Sequence, residues 1–491
     1  MLFPTTVFAL FFCAVFWISW SLDDRQHLRK YVLLAASYAF YGYWDWRFLS
    51  LLIFSSALNY VFGHALTLPR FAERRRLIVG VAVTCNLIIL GFFKYFGFFV
   101  DSLAPILQPI GFGRDMVLFE VILPIGISFF TFQGISYVVD VYRGTVKPVR
   151  TPVDLFLYIS FFPQLVAGPI VRAADFLPQL NGRPHLTTQA VSFGLLLILV
   201  GLFKKVVISS YLATEIVDDV FAVPESYSSL DLFFAAHAFV VQIYCDFSGY
   251  SDIAIGVAAL LGYQFKKNFD RPLAASTLQD LWQRWHISLT SWLRDYLYKP
   301  LKGKKRGTAH MYRNLLITMT VAGLWHGAAW TFVIWGALQG AMLVAERWLI
   351  SLTRRAQNAI VAGEPVGLGG VALSLLGRFV SSVPLLPWFL TLNAFALTAI
   401  LFRAEDMQIA SAFYQGLIAF TFEVEAFTPF VALLVFGSIA VQFLPSGWFG
   451  RQVRAFERLP AAPAAAMFAL GLIAVEFVGP DGVAPFIYFQ F

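Results

Sequence analysis

The chain has 491 residues, of which 59% are hydrophobic and only 13% charged, with a mean hydropathy of +0.71. A soluble domain carries about 25% charged residues, so that class is excluded. The formal net charge of +7 needs no nucleic-acid partner if the basic residues mark one side of a membrane.

The first apolar block, Leu2 to Leu22, has no basic region before it and no small-residue cleavage site before Asp23. It reads as a retained helix, not a signal peptide. Further apolar blocks follow near 31–44, 48–66, 77–99, 117–141, 153–171, 189–209, 229–244 and 248–262. After a polar interval come blocks near 312–328, 330–349, 379–402, 428–446 and 463–479. A spanning helix needs roughly 20 apolar residues, and these segments do not alternate as barrel strands do. The expectation is an all-α, polytopic integral membrane protein with about 11–14 spanning or re-entrant helices. Blocks broken by Pro and Gly, such as PQLVAGPI at 163–170, are candidates for burial within protein. With no repeat, no low-complexity tract and no soluble domain, 1–491 reads as a single membrane-embedded domain. Cys13, Cys85 and Cys245 are scattered through apolar segments, with neither a disulfide framework nor metal spacing.

Lys and Arg cluster at 25–30, 70–76, 143–150, 204–205, 266–313, 347–355 and 451–458, with two apolar blocks between successive clusters. All can lie on one side, which is then cytoplasmic. Glu405, Asp406, Glu423 and Glu425 fall in an intervening loop, and both termini are expected outside.

The interval 263–311 holds ten Lys or Arg against three Asp, interleaved with Trp282, Trp285, Trp292, Tyr296 and Tyr298. That mixture describes interfacial helices, expected around 275–310. His286 sits here, in RWHIS, and His326 follows in GLWHGAAW, inside an apolar run and near a helix middle. An ionisable side chain at membrane depth is costly, which marks a functional candidate. Imidazole titrates near neutrality and suits a general base. The alternative is that each ring merely hydrogen-bonds a neighbouring helix. No GxxxxGK[ST], no GxSxG and no HxxxH spacing is present, so nucleotide hydrolysis, a serine elbow and a zinc site are unsupported, and no metal or bound cofactor is expected.

The run YCDFSGYSD, 244–252, places Asp246 and Ser248 among apolar neighbours. It reads either as a polar wall of a cavity or as a short capped loop between two helices. KPLKGKKRG, 299–307, could hold phosphates of an acyl carrier or simply attract anionic lipid. Glu120, Lys94, His64 and His237 read as structural or snorkelling groups.

RWHISLTSWLRDYLY and GLWHGAAW resemble the membrane-bound O-acyltransferases, in their bacterial alginate O-acetylation branch. The resemblance extends to LLPIGISFFTFQGISYVVDVYRG, FFPQLVAGPIVR and YCDFSGYSDIAIG, covering most of 30–350 in order; the helices of 379–491 are less diagnostic. Leu281 and Gln283 stand in LWQRWH where alginate-type relatives usually read FWRRWH. The resemblance implies acyl transfer to a hydroxyl from acetyl-CoA or another thioester entering from the cytoplasm. It implies His326 as general base, and His286 orienting the donor or stabilising the oxyanion. Trp325, Asp246, Ser248, Arg294 and Asp295 are the accompanying substrate-binding candidates. It further implies a bacterial inner-membrane location and an exported polysaccharide acceptor, often reached through a periplasmic acetyltransferase. Peptidoglycan, cellulose and D-alanylated teichoic acid are the other acceptors. A non-enzymatic glycan transporter or scaffold is the rival class, and it would not need a WHG histidine at membrane depth.

Overall fold

A computed structural model describes residues 1, 3–107, 121–303, 307–480, 482, 486 and 487. Glu120 and Lys304, Lys305 and Arg306 of the basic run lie outside the described residues. Among the described residues every regular element is helical. The apolar composition explains this, because in lipid a helix satisfies its own backbone polar groups. Seven helices among those residues are long and apolar enough to cross a bilayer, and three more apolar helices are shorter. Helix starts follow local chemistry: Thr5, Thr187, Thr277, Asp406 and Thr428 each accept a hydrogen bond from a backbone N–H of the first turn.

The chain divides into two compact units that interleave in sequence. One comprises Met1–Val207, Asp246–Lys267 and Gly447–Gln490. Within it the block near 153–171 is not one spanning helix. It forms the short helices Pro152–Ser160 and Phe162–Leu165 and an irregular stretch, all but a few residues buried. Protein burial of this kind is what non-helical backbone at membrane depth requires.

Two expectations fail in this unit. The polar run 244–252 is no loop: it lies inside the unbroken helix Ser229–Leu260. The helix continues because its acidic groups have partners on Thr188–Ala222. Asp246 pairs with Lys205, both side chains 2% exposed, and Asp252 pairs with Lys204. Lys204 also donates to Ser248 at 3.0 Å, and the Ile487 N–H donates to Asp246 at 2.8 Å. Lys204 and Lys205 are therefore not loop charges and carry no orientation signal; they are intramembrane ion-pair partners. Gly249 fits because a methyl group there would lie 2.7 Å from the Gly201 carbonyl oxygen, so the two backbones approach closely.

The second unit comprises Ile208–Cys245 and Asn268–Ser446. Its centre is the pair of helices Thr308–His326 and Trp330–Val361. A methyl group on Gly323 would lie 2.2 Å from the Phe332 carbonyl oxygen, and one on Gly336 would lie 2.4 Å from that of Met319. The two helices can cross this closely only with glycine at both positions. The interfacial region is a chain of short helices, Leu278–Arg284, Ile287–Leu293, the π-helical turn Arg294–Tyr298 and Lys299–Lys302.

Candidate active site

His326 is the last residue of its helix, not a mid-helix residue, and is 4% exposed. The backbone turns extended at Gly327, and the next helix begins at Trp330. Three rings stand nearly perpendicular or steeply tilted to the imidazole: Trp325 at 4.9 Å between centroids, Phe402 at 5.1 Å and Trp335 at 5.4 Å. Gly327 leaves no open space on its Cβ side. A methyl group there would fall 2.1 Å from the Phe332 ring, so the space is already filled.

His286 joins Leu278–Arg284 to Ile287–Leu293 with φ 41° and ψ 56°, a left-handed conformation that costs a non-glycine residue about 1–3 kcal/mol. Asn268 holds the joint. Its carbonyl accepts from Ile287 N–H at 2.8 Å, and its Oδ1 accepts from Ser288 N–H at 3.1 Å and Ser288 Oγ at 2.8 Å. Because a backbone N–H donates to that side-chain atom, it is the amide oxygen. His286 Nδ1, 3.2 Å from it, must then carry the proton. The ring is 1% exposed, lies outside the spanning helices, and burial pushes its pKa down to about 3. It is a neutral imidazole with its lone pair on Nε2. The two histidines flank one indole: Trp325 lies 6.1 Å from the His286 ring and 4.9 Å from that of His326.

Of the other candidates, Trp325 is thus at the centre. Arg294 and Asp295 sit on the π-helical turn, paired with each other at 3.2 Å, and Lys299 reaches Asp295 at 2.8 Å. Burial opposes ionisation of Asp295, but hydrogen bonds from Lys299 and Arg294 outweigh it and hold the carboxyl below its ordinary range. Asp246 and Ser248 belong to the other unit, in the ion-paired cluster described above. Asn268, Ser288, Trp335 and Phe402 complete the site. Ser288 falls within the RWHIS motif, whereas Phe402 arrives from a helix far along the chain, Leu386–Arg403, with no local signal.

The same unit contains a cleft of about 770 Å³ lined by Thr277, Gln279, Thr308, Arg347, Arg354 and Arg355 among others. Glu346 also lines it, but its carboxylate is engaged by the N–H groups of Leu278 and Gln279 at 2.8 and 3.1 Å.

Residues 149–360 match the model of the MBOAT, membrane-bound O-acyltransferase family. The chain is 36% identical over 491 residues to the "Probable alginate O-acetylase AlgI" of Pseudomonas aeruginosa, covering 99% of this chain and 88% of that protein. The chain belongs to the membrane-bound O-acyltransferase family. It is an O-acyltransferase of the multi-pass membrane class. The protein of the same description from Azotobacter vinelandii is 42% identical over 352 residues, 71% of this chain and 69% of that one. The "Peptidoglycan O-acetyltransferase" of Helicobacter pylori is 32% identical over 451 residues, 85% and 80% of the two chains. The match of 149–360 includes both histidines and the cleft.

Proposed function

We propose that this enzyme moves an acetyl group from a cytoplasmic thioester, acetyl-CoA or an acyl carrier, to hydroxyls of an exported, alginate-like polysaccharide. The observation that carries the reading is the pair of buried imidazoles on either side of Trp325, one of them locked as a neutral tautomer. His326 acts as general base on the attacking hydroxyl. His286 Nε2, a lone-pair nitrogen, accepts a hydrogen bond and orients the hydroxyl or the donor; in this tautomer it has no proton to give an oxyanion. The arginine-lined cleft suits the phosphates of the donor. The Asp246–Lys205 pair and its neighbours act as structure.

The Lys/Arg-rich segments face the cytoplasm of a bacterial inner membrane, and both termini face the periplasm. A periplasmic acetyltransferase finishes delivery to the polymer. Peptidoglycan is the second acceptor reading, favoured by the Helicobacter relative. The test is acetyl ester content of the exported polysaccharide and of peptidoglycan in cells carrying His326→Ala at normal membrane abundance. Loss from one polymer names the acceptor; unchanged esters in both would remove His326 as the base. Labelling a cysteine introduced at Lys302 from outside intact cells should fail, and success would reverse the orientation.

A further inference from the structure

Along one face of the helix Trp330–Val361 run Thr331, Trp335 and Gln339, each one turn from the next. All three are buried, and they differ in how their polar atoms are used. Gln339 is satisfied at both ends: Trp282 Nε1 donates to its Oε1 at 3.3 Å, and its Nε2 donates to Thr398 Oγ1 at 2.7 Å. Trp335 Nε1 and Thr331 Oγ1, in side chains of residues 3% and 1% exposed, have no hydrogen-bond partner among the described residues. Burying a polar group without a partner is costly, and such groups in a native fold call for an explanation. Trp335 is not remote from the chemistry. Its ring stands 5.4 Å from the His326 imidazole at 85°. Thr331 follows one turn away on the same face, roughly 5–6 Å between Cβ atoms.

The reaction needs hydrogen-bond donors at a place the histidines do not supply. When a hydroxyl oxygen attacks the thioester carbonyl, a C–O bond forms and the carbonyl π pair moves onto oxygen. His326 takes the hydroxyl proton. The oxyanion then collapses, the C–S bond breaks, and the thiolate leaves, taking the proton back from His326. His286 carries its proton on Nδ1, bonded to Asn268, so it offers the oxyanion nothing from Nε2. An indole N–H is a donor and never an acceptor, and a threonine hydroxyl can donate.

We propose that Trp335 Nε1–H and Thr331 Oγ–H form the donor pair that receives the acyl oxygen of the thioester as it becomes negative. This rests on the acyl-transfer reading and adds the electrophile's half of the site to the base's half. Groups pre-aimed at developing charge act chiefly in the transition state, so their removal lowers kcat and leaves KM largely intact.

The test uses inside-out membrane vesicles of the host, supplied with acetyl-CoA, and follows thiol release above the His326→Ala background. Trp335→Phe removes the N–H and keeps a ring; Thr331→Val removes the hydroxyl at constant shape. Each should lower kcat on the order of 10²–10³-fold with KM for acetyl-CoA little changed and normal melting of the extracted protein. Thr331→Ser should restore most of the rate. Both variants within about threefold of wild-type kcat would overturn the assignment while leaving His326 as base. A rise in KM alone would overturn it too, because that marks ground-state binding. Should Trp335→Phe not accumulate, the Thr331→Val and Thr331→Ser pair decides. No His326-dependent thiol release from the wild type would instead sink the acyl-transfer reading itself.

Discussion

Asp246 and Lys205 meet as a buried ion pair on two long apolar helices, with Asp252 and Lys204 repeating the arrangement and the Ile487 N–H closing it. His326, His286, Trp335 and Thr331 are also buried, and the neighbours the structure places beside the two histidines include indoles, a phenyl ring, an amide and a hydroxyl. The first cluster cancels its charges internally and anchors helices. The second sets the proposed base, His326, among aromatic rings, a setting in which charge created during reaction would be felt strongly. Burial of polar groups alone does not separate the two clusters; they differ in that Trp335 Nε1 and Thr331 Oγ1 have no hydrogen-bond partner among the described residues.

The comparison is broken most directly by exchanging outcomes. His326→Ala should remove transfer by on the order of 10²–10⁴-fold or more while membrane abundance stays normal. Lys205→Ala should do the reverse. It leaves Asp246 buried without its cation, which costs about 3–5 kcal/mol, so folded protein falls steeply. Turnover per surviving folded molecule should stay near wild type, and Lys205→Met with Asp246→Leu should recover abundance, because an apolar pair has no charge to strand. Quantifying extracted monodisperse protein beside thiol release per molecule checks both. A Lys205→Ala protein that is abundant and inactive would move this cluster into the catalytic class.

Much of this was legible before any coordinates. Apolar block lengths gave the helical membrane class, and RWHIS and GLWHG singled out both histidines. The polar run 244–252 misled because a carboxylate among apolar residues resembles a helix break until its lysine partner, distant in sequence, is known. For the same reason Lys204 and Lys205 looked like loop charges. Asn268, which fixes the His286 tautomer, lies in KNFD with nothing local to mark it. Nothing local in GLWHG shows that a methyl at Gly323 would meet the Phe332 carbonyl and one at Gly327 the Phe332 ring. Pairings across helices carry no sequence period, so motifs reveal which residue matters more readily than what it touches.

A smaller effect is expected from Gly336→Ala. Its methyl would meet the Met319 carbonyl oxygen at 2.4 Å, forcing Thr308–His326 and Trp330–Val361 apart. Overpacking costs about 1–3 kcal/mol, and here the shift would also move His326 relative to Trp335. Stability and turnover should therefore fall together, unlike either exchange above. Gly437→Ala, where a methyl meets nothing within 4 Å, is the control.

The smallest effect sharpens the neutral-versus-charged contrast through pH. His286 has its pKa lowered from 6.5 to about 3 by burial. Above pH 6.5 the ring is neutral whether the protein is folded or not, and its burial carries no protonation penalty. As pH drops below 6.5 the unfolded chain takes up a proton that the folded one refuses. Stability is therefore lost from 6.5 downward, and the loss stops only near the folded value of about 3. One proton contributes a slope of at most about 1.4 kcal/mol per pH unit, so the first unit below the onset costs less than that. His286→Gln keeps a polar side chain without the titration. The melting temperature of the detergent-extracted variant should fall less between pH 6.5 and 5 than that of the wild type, about the onset set by the unfolded histidine. Any acid limb in the wild-type pH profile of thiol release should persist in the variant's residual activity, because a ring neutral down to about 3 cannot be the group that titrates there. If the acid limb disappears with His286, the proton accepted in the reaction belongs to that ring, and the assignments of base and orienting residue must be exchanged.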